Sequence, residues 1–133
     1  MGRFLSIDYG TKRVGLALSD ESNTLAFSIT PLSNNREEEL IRKIKDIVKK
    51  YTIQKIVVGL PLGLENKETQ MSQQIRSFTK NLQASIHIEV ILLNETLTSE
   101  MAKINLRSLK KRKSIDSESA RILLQEFLDN QKL

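Results

Sequence analysis

Apolar residues recur along this chain with two different periods, and the change from one to the other divides it. Arg3–Ile7 is a short apolar run leading into Asp8, and Tyr9-Gly10-Thr11-Lys12 has the composition of a turn. Val14-Gly15-Leu16-Ala17-Leu18-Ser19 is a second run of strand length. After the polar cluster Asp20–Asn23, Leu25–Thr30 predicts a third strand, closed by Pro31. Three short strands joined by tight turns predict an antiparallel meander.

The period then becomes helical. Leu40, Ile41, Ile44, Ile47, Val48 and Tyr51 fall on one face of an amphipathic helix. Lys55–Gly59 is too short and too β-branched for a helix and predicts a buried strand that Pro61 prevents from continuing. Met71, Ile75, Phe78 and Leu82 form the stripe of a second helix, and Ile86–Leu93 predicts a fifth strand. Thr98 suits the N-cap of a helix to Leu109. A basic, loop-like stretch follows, then a last helix over Ile115–Leu128. The order βββ-α-β-α-β-α-α predicts an α/β fold: a mixed five-stranded sheet with helices packed on its faces. No repeat, linker or low-complexity segment interrupts it.

Composition narrows the chemistry. A chain of 133 residues has the size of one domain, so a single core over residues 1–133 is expected. There is no cysteine, which excludes disulfide scaffolds, thiolate zinc sites and cysteine nucleophiles. One histidine, His87, excludes a multi-histidine metal site within the chain; its place predicts an exposed strand start. Any metal must be held by carboxylate and carbonyl oxygens, which favours Mg²⁺ or Mn²⁺. The opening MGRFLSIDYG lacks the apolar run of a signal peptide, and no later segment is long and apolar enough to span a bilayer, so a cytoplasmic location is expected. The net charge of +5 and isoelectric point near 9.6 suit a polyanionic partner. No basic amphipathic helix with exposed aromatics suggests a membrane, so the charge reads as either a nucleic-acid partner or simple solubility.

Three acids stand where chemistry is expected. Asp8 ends an apolar strand at a glycine-containing turn; it is either an ordinary turn residue or a carboxylate at the strand's carboxyl edge. Glu95 holds a similar place after the fifth strand, where an acid before a helix is also favoured by the macrodipole. Asp116 shares a helical stripe with Ala120, Leu123, Leu124 and Phe127, the residues expected to face the sheet. A charge on a core-facing stripe is costly unless it is paired or bound to a cation. If the strands ending at Asp8, Gly59 and Glu95 are parallel neighbours, their carboxyl ends share the edge at which open α/β sheets bind ligands. Three clustered carboxylates would then hold one or two divalent ions, the arrangement that assists in-line displacement at phosphorus.

The basic residues fit the same reading. Lys103, Arg107, Lys110, Lys111, Arg112 and Lys113 lead into Asp116, and Lys12 and Arg13 follow Asp8. Such a run is either a solvated face or a set of phosphate contacts that positions a nucleic-acid backbone. Gly59-Leu60-Pro61-Leu62-Gly63 is either a plain strand-to-loop transition or, at the end of a central strand, a place where a backbone can approach closely. Met71 and Phe78 read as core, and Tyr9 as either a stacking platform or packing.

Taken together, these segments resemble the YqgF, or RuvX-like, family of small bacterial nucleases, also described as Holliday junction resolvases. The likeness is carried by Asp8-Tyr9-Gly10-Thr11-Lys12-Arg13-Val14-Gly15 with Ser19-Asp20, by Gly59-Leu60-Pro61-Leu62, by Glu95 with Leu97-Thr98, and by Ile115-Asp116-Ser117 with Ala120. It implies an RNase H-like fold, a divalent-metal nuclease and a role in maturing the 5′ end of 16S ribosomal RNA, with a pre-ribosomal particle as a partner. Asp8, Glu95 and Asp116 match the family's acidic positions. Where the family reads Asp-Glu-Arg this chain has Asn94-Glu95-Thr96, so two charges are missing beside the retained glutamate. The alternatives are a junction resolvase acting on branched DNA, a non-catalytic RNA-binding assembly factor, and an actin-like phosphate-binding fold. The last needs two lobes, and the chain is too short for them. A resolvase would need a symmetric dimer, which no feature of the sequence demands.

Overall fold

A computed structural model of the chain describes residues 2–62, 67–95 and 112–131, with backbone alone for Glu95 and residues 112–116. Five strands, β1 (Arg3–Asp8), β2 (Arg13–Ser19), β3 (Ala26–Ser33), β4 (Ile53–Pro61) and β5 (Glu89–Glu95), form one sheet in the order β3-β2-β1-β4-β5. The first three make the antiparallel meander, and β1, β4 and β5 run parallel. Helices α1 (Glu37–Tyr51) and α2 (Gln70–Ser85) cover one face, and α3 (Arg112–Gln131) covers the other. The helix expected over Thr98–Leu109 lies outside the described residues. No described helix is long and apolar enough to cross a membrane.

Strand β1 is central and buried on both sides, which explains its unbroken run of buried positions. Its odd residues Leu5 and Ile7 join Leu16, Ile56, Val58, Ile75 and Phe78 under α1 and α2. Its even residue Phe4 joins Ala17, Val57, Ala120, Leu124 and Phe127 under α3. Burial of this kind contributes about 25 cal/mol per Å² of apolar surface removed from water, the main favourable term in a fold of this size.

Local chemistry sets the element ends. Helix α1 opens on Glu37, Glu38 and Glu39 and closes on Lys49 and Lys50, charges that complement its macrodipole. It stops at Thr52, whose φ of 53° is left-handed and whose N–H donates to Val48 C=O. Thr52 C=O accepts from Arg3 N–H, which ties the end of α1 to the start of β1. Helix α2 opens with a capping box between Thr69 and Ser72. At the β5 edge, the Gln83 side-chain amide donates to Ile88 C=O and accepts from Val90 N–H.

Several boundaries differ from expectation. Strand β3 passes through Pro31 to Ser33, because Pro31 lies on an edge strand at a register shift, where a missing N–H costs no ladder bond. Strand β5 begins at Glu89 rather than Ile86. Helix α3 begins at Arg112 rather than Ile115, so Arg112 and Lys113 belong to a helix and not to a loop. His87 is exposed just before β5, as its position suggested.

The Ser19-Asp20 pair builds the turn from β2 to β3. Ser19 Oγ accepts from Phe4 N–H at 2.8 Å and donates to Asn23 Oδ1 at 2.6 Å. Asp20 accepts from the N–H groups of Thr24 and Leu25 and from Ser22 Oγ. The backbone N–H of Leu25, then that of Thr24, hold the Asp20 carboxyl below its ordinary value of 3.8. A depressed folded-state pKa adds stability that is present above about pH 4 and lost as pH falls through the folded value. Asp20→Asn should therefore lower the urea midpoint at pH 7, and the gap from wild type should close below about pH 4. Ser19→Ala strands the buried Phe4 N–H and should cost about 1–3 kcal/mol in the same unfolding measurement.

Candidate active site

The strand register brings two of the acids to one edge. Ile7 pairs with Val58, and Val58 with Leu92, so Asp8 ends β1 one step further on, level with Gly59 and Leu93. Glu95 ends β5 opposite Pro61. At about 3.3 Å per residue and about 4.8 Å between strands, position 95 lies roughly 7 Å beyond Asp8 along the strands and roughly 10 Å across them. Alternation assigns both to one face. Asp8 follows Phe4 and Ser6, and position 95 follows Ile91 and Leu93, which pack with the α3 cluster.

Helix α3 brings the third position. Ala120, Leu123, Leu124 and Phe127 are buried against the sheet, and position 116 stands one turn before Ala120 on that stripe. Ser6 Oγ donates to Ala120 C=O at 2.6 Å. Ser117 Oγ donates to Ile29 C=O at 2.9 Å, and Ser28 Oγ donates to Ser117 C=O at 3.1 Å. Ile29 pairs with Leu16 and Leu16 with Ile7, so Ser117 sits one step below Asp8 in the register. The backbones of positions 8, 95 and 116 thus share one edge and one face. The side chains of Glu95, Arg112, Lys113 and Asp116 lie outside the described residues, as do Lys103, Arg107, Lys110, Lys111 and the segment 96–100. Among the described side chains no three acids or histidines gather.

Glycine flanks Asp8 on both sides. Gly15 of β2 is its register partner, and Gly59 of β4 lies level with it on the other side. The row across the sheet therefore carries no side chain next to the half-buried Asp8 until Leu93.

The turn after Asp8 is held from outside. Asn34 Nδ2 donates to Gly10 C=O at 2.7 Å, and Asn34 N–H donates to Lys12 C=O at 2.9 Å. A Cβ at Gly10 would lie 2.3 Å from the Arg13 carbonyl oxygen, so the turn closes only around glycine. Lys12 is exposed and Arg13 half-buried beside it. Tyr9 is half-buried and packs on Phe78 with ring centroids 4.8 Å apart. Sequence reasoning missed Asn34, Ser6 and Ser28, and it named Ser117 only as part of the Ile115-Asp116-Ser117 resemblance, without a role. An asparagine after a strand and lone serines in apolar runs carry no distinguishing signal until their partners are known.

A mixed five-stranded sheet in the order β3-β2-β1-β4-β5 with helices on both faces is of the RNase H-like fold class. Solved structures bear out the fold. Thermus thermophilus RuvC in complex with a Holliday junction substrate superposes with a TM-score of 0.65 at 10% identity, over 99% of this chain and 96% of that one. Fowlpox virus resolvase with Holliday junction DNA superposes with a TM-score of 0.53 at 16% identity, over 95% and 98%. The chain belongs to the RuvX family, whose profile, described as Holliday junction resolvase, matches residues 2–130. Among its relatives is a protein of Sulfurihydrogenibium sp., 39% identical over 97% of this chain and 91% of that one, named "Putative pre-16S rRNA nuclease". A protein of Maridesulfovibrio salexigens bears the same name and is 33% identical over 95% and 97%.

Gly10→Ala tests the turn. The added methyl meets backbone rather than a flexible side chain, so a loss of about 1–3 kcal/mol is expected in urea unfolding. Unchanged stability would show that the turn can open without the rest of the sheet.

Proposed function

We propose that this chain is a divalent-metal-dependent nuclease that hydrolyses phosphodiester bonds, with precursor 16S ribosomal RNA, cut near its 5′ end, as its substrate. The observation that carries this reading is the shared edge and face of positions 8, 95 and 116. Family membership and the relatives' names support the activity and the RNA substrate.

The donor chemistry fits a hard ion. Asp8, Glu95 and Asp116 offer carboxylate oxygens only; the chain has no cysteine, and His87 sits at the opposite, amino end of β5. Mg²⁺ or Mn²⁺ matches such a set, with one or two ions held. When bound, such ions neutralise phosphate charge and make water a stronger nucleophile at neutral pH. The chain's own residues do the rest. Asp8, Glu95 and Asp116 would hold the ions. Gly15 and Gly59 put no side chain of their own beside Asp8. Lys12, Arg13, Lys110, Lys111, Arg112 and Lys113 hold neighbouring phosphates without reading bases. Products with 5′-phosphate and 3′-hydroxyl ends are expected. On this reading the protein works in the cytoplasm on pre-ribosomal particles.

A second reading, resolution of four-way DNA junctions, is favoured by the description of the family. The two part in one experiment: cleavage of labelled precursor 16S 5′-leader RNA and of a four-way DNA junction, each with Mn²⁺, Mg²⁺ or EDTA. Cutting of the RNA that needs the ion, and falls by about a thousandfold or more in Asp8→Asn with the unfolding midpoint unchanged, is expected. Cutting of the junction alone selects the resolvase. Retained cutting in Asp8→Asn sinks the assignment of Asp8, and binding without cutting under any ion selects an RNA-binding assembly factor.

Lys12→Ala should weaken RNA binding across sequences alike and reduce the slope of log K against log salt by about 1. A slope equal to that of wild type would remove Lys12 from the phosphate contacts.

A further inference from the structure

Helix α3 is seated on the sheet by apolar side chains, and apolar contact is non-directional. A helix held only in that way can shift along the sheet without losing much buried area. Three serine hydroxyls remove that freedom. Ser6 Oγ, fully buried, donates to Ala120 C=O, and Ser117 Oγ and Ser28 Oγ form a reciprocal pair with Ile29 C=O and Ser117 C=O. Inside a helix, the carbonyls of Ser117 and Ala120 already accept from the N–H four residues on, so each serine bonds the second lone pair and leaves the helix intact. A displaced α3 would leave the buried hydroxyls of Ser6 and Ser117 without partners, which is costly.

The spacing makes this seat relevant to the edge. Ser6 is two residues before Asp8 on the same strand face, and Ala120 is four residues after position 116 on the same helix stripe. Two strand residues rise about 6.6 Å and one helical turn about 5.4 Å, so the Ser6–Ala120 bond holds two nearly equal arms. Ser117 is the neighbour of position 116 itself. We propose that Ser6, Ser28 and Ser117 are positioning residues that fix the height of α3 over β1, and thereby set how tightly the edge between Asp8 and position 116 holds a divalent ion. The proposal rests on the reading of Asp8 and Asp116 as ion-holding carboxylates.

A built-in control lies at the other end of α3. Gln125 accepts from Ala26 N–H at 2.9 Å and donates to Thr24 C=O at 3.0 Å, nine residues and about 13.5 Å from position 116. Loss of this clasp loosens the helix without releasing its first turns.

Mn²⁺ binding to the whole chain, followed by electron paramagnetic resonance of the free ion, tests the proposal on wild type, Asp8→Asn, Ser6→Ala, Ser28→Ala, Ser117→Ala and Gln125→Ala. Circular dichroism and urea unfolding establish that each variant is folded. The expected result is a Mn²⁺ dissociation constant raised about tenfold in the serine variants and unchanged in Gln125→Ala, although all four are less stable. For cleavage, kcat should fall in the serine variants while KM for RNA stays near wild type. If Ser6→Ala does not fold, Ser28→Ala carries the test, since position 28 is exposed and tolerates alanine. Wild-type Mn²⁺ affinity in the folded serine variants, or an equal loss in Gln125→Ala, overturns the positioning role alone, provided Asp8→Asn has lost the ion. Absence of Mn²⁺ binding by wild type overturns both this proposal and the functional reading beneath it.

Discussion

Strand β1 has to satisfy two helix layers at once and then stop in a charge. Its neighbours on the sheet are β2 and β4, its odd residues face α1 and α2, and its even residues face α3. Any one-residue slip would exchange the two faces, turning Ser6 and Asp8 into the larger core and Leu5 and Ile7 towards α3. The register is therefore strongly specified, and with it the place where Asp8 emerges. Parallel pairing of β4 and β5 carries that same edge two strands further, to Glu95.

The two helix layers are not equivalent. The α1 and α2 side is closed mainly by aliphatic and aromatic side chains, with Tyr9 against Phe78 extending the packing to the rim. Its buried Ser72 and Thr79 bond within α2 and the two residues before it. On the α3 side, Ser6, Ser28 and Ser117 run towards the carboxyl edge, and Gln125 holds the far end. Polar groups at those places bring direction to a contact that apolar area alone would leave free to slide. The same side carries the glycines beside Asp8. The face under α3 is thus the one whose directional bonds run towards the edge that positions 8, 95 and 116 share.

Residues that carry a family resemblance do different kinds of work here. Ser19-Asp20 and Gly10 build turns: one ties β2 to β3 and the start of β1, the other closes only without a Cβ. Gly59 lies in the sheet level with Asp8 and Leu93. Asp8 alone of that first run bears a group able to bind a cation, and Lys12 and Arg13 lie on the turn that Asn34 clasps. Asn94 is exposed beside Glu95, so the charge missing there relative to the family belongs to the rim of the edge and not to its packing.

By itself the sequence determined the periodic elements, their order, the mixed sheet and the oxygen-only donor set. Each follows from local rules: spacing of apolar side chains, turn chemistry, and the absence of cysteine. It also marked Asp8, Glu95 and Asp116, because an acid at a strand end or on an apolar helix stripe conflicts with its surroundings unless something compensates. Only the tertiary structure decided that β3 continues through Pro31, since that depends on having no neighbour on one side. It alone decided that Tyr9 meets Phe78, that Asn34 holds the turn, and that the serines bond α3. Those outcomes rest on partners 24 to 114 residues away in the chain, and no local pattern records which distant carbonyl a hydroxyl or amide will find.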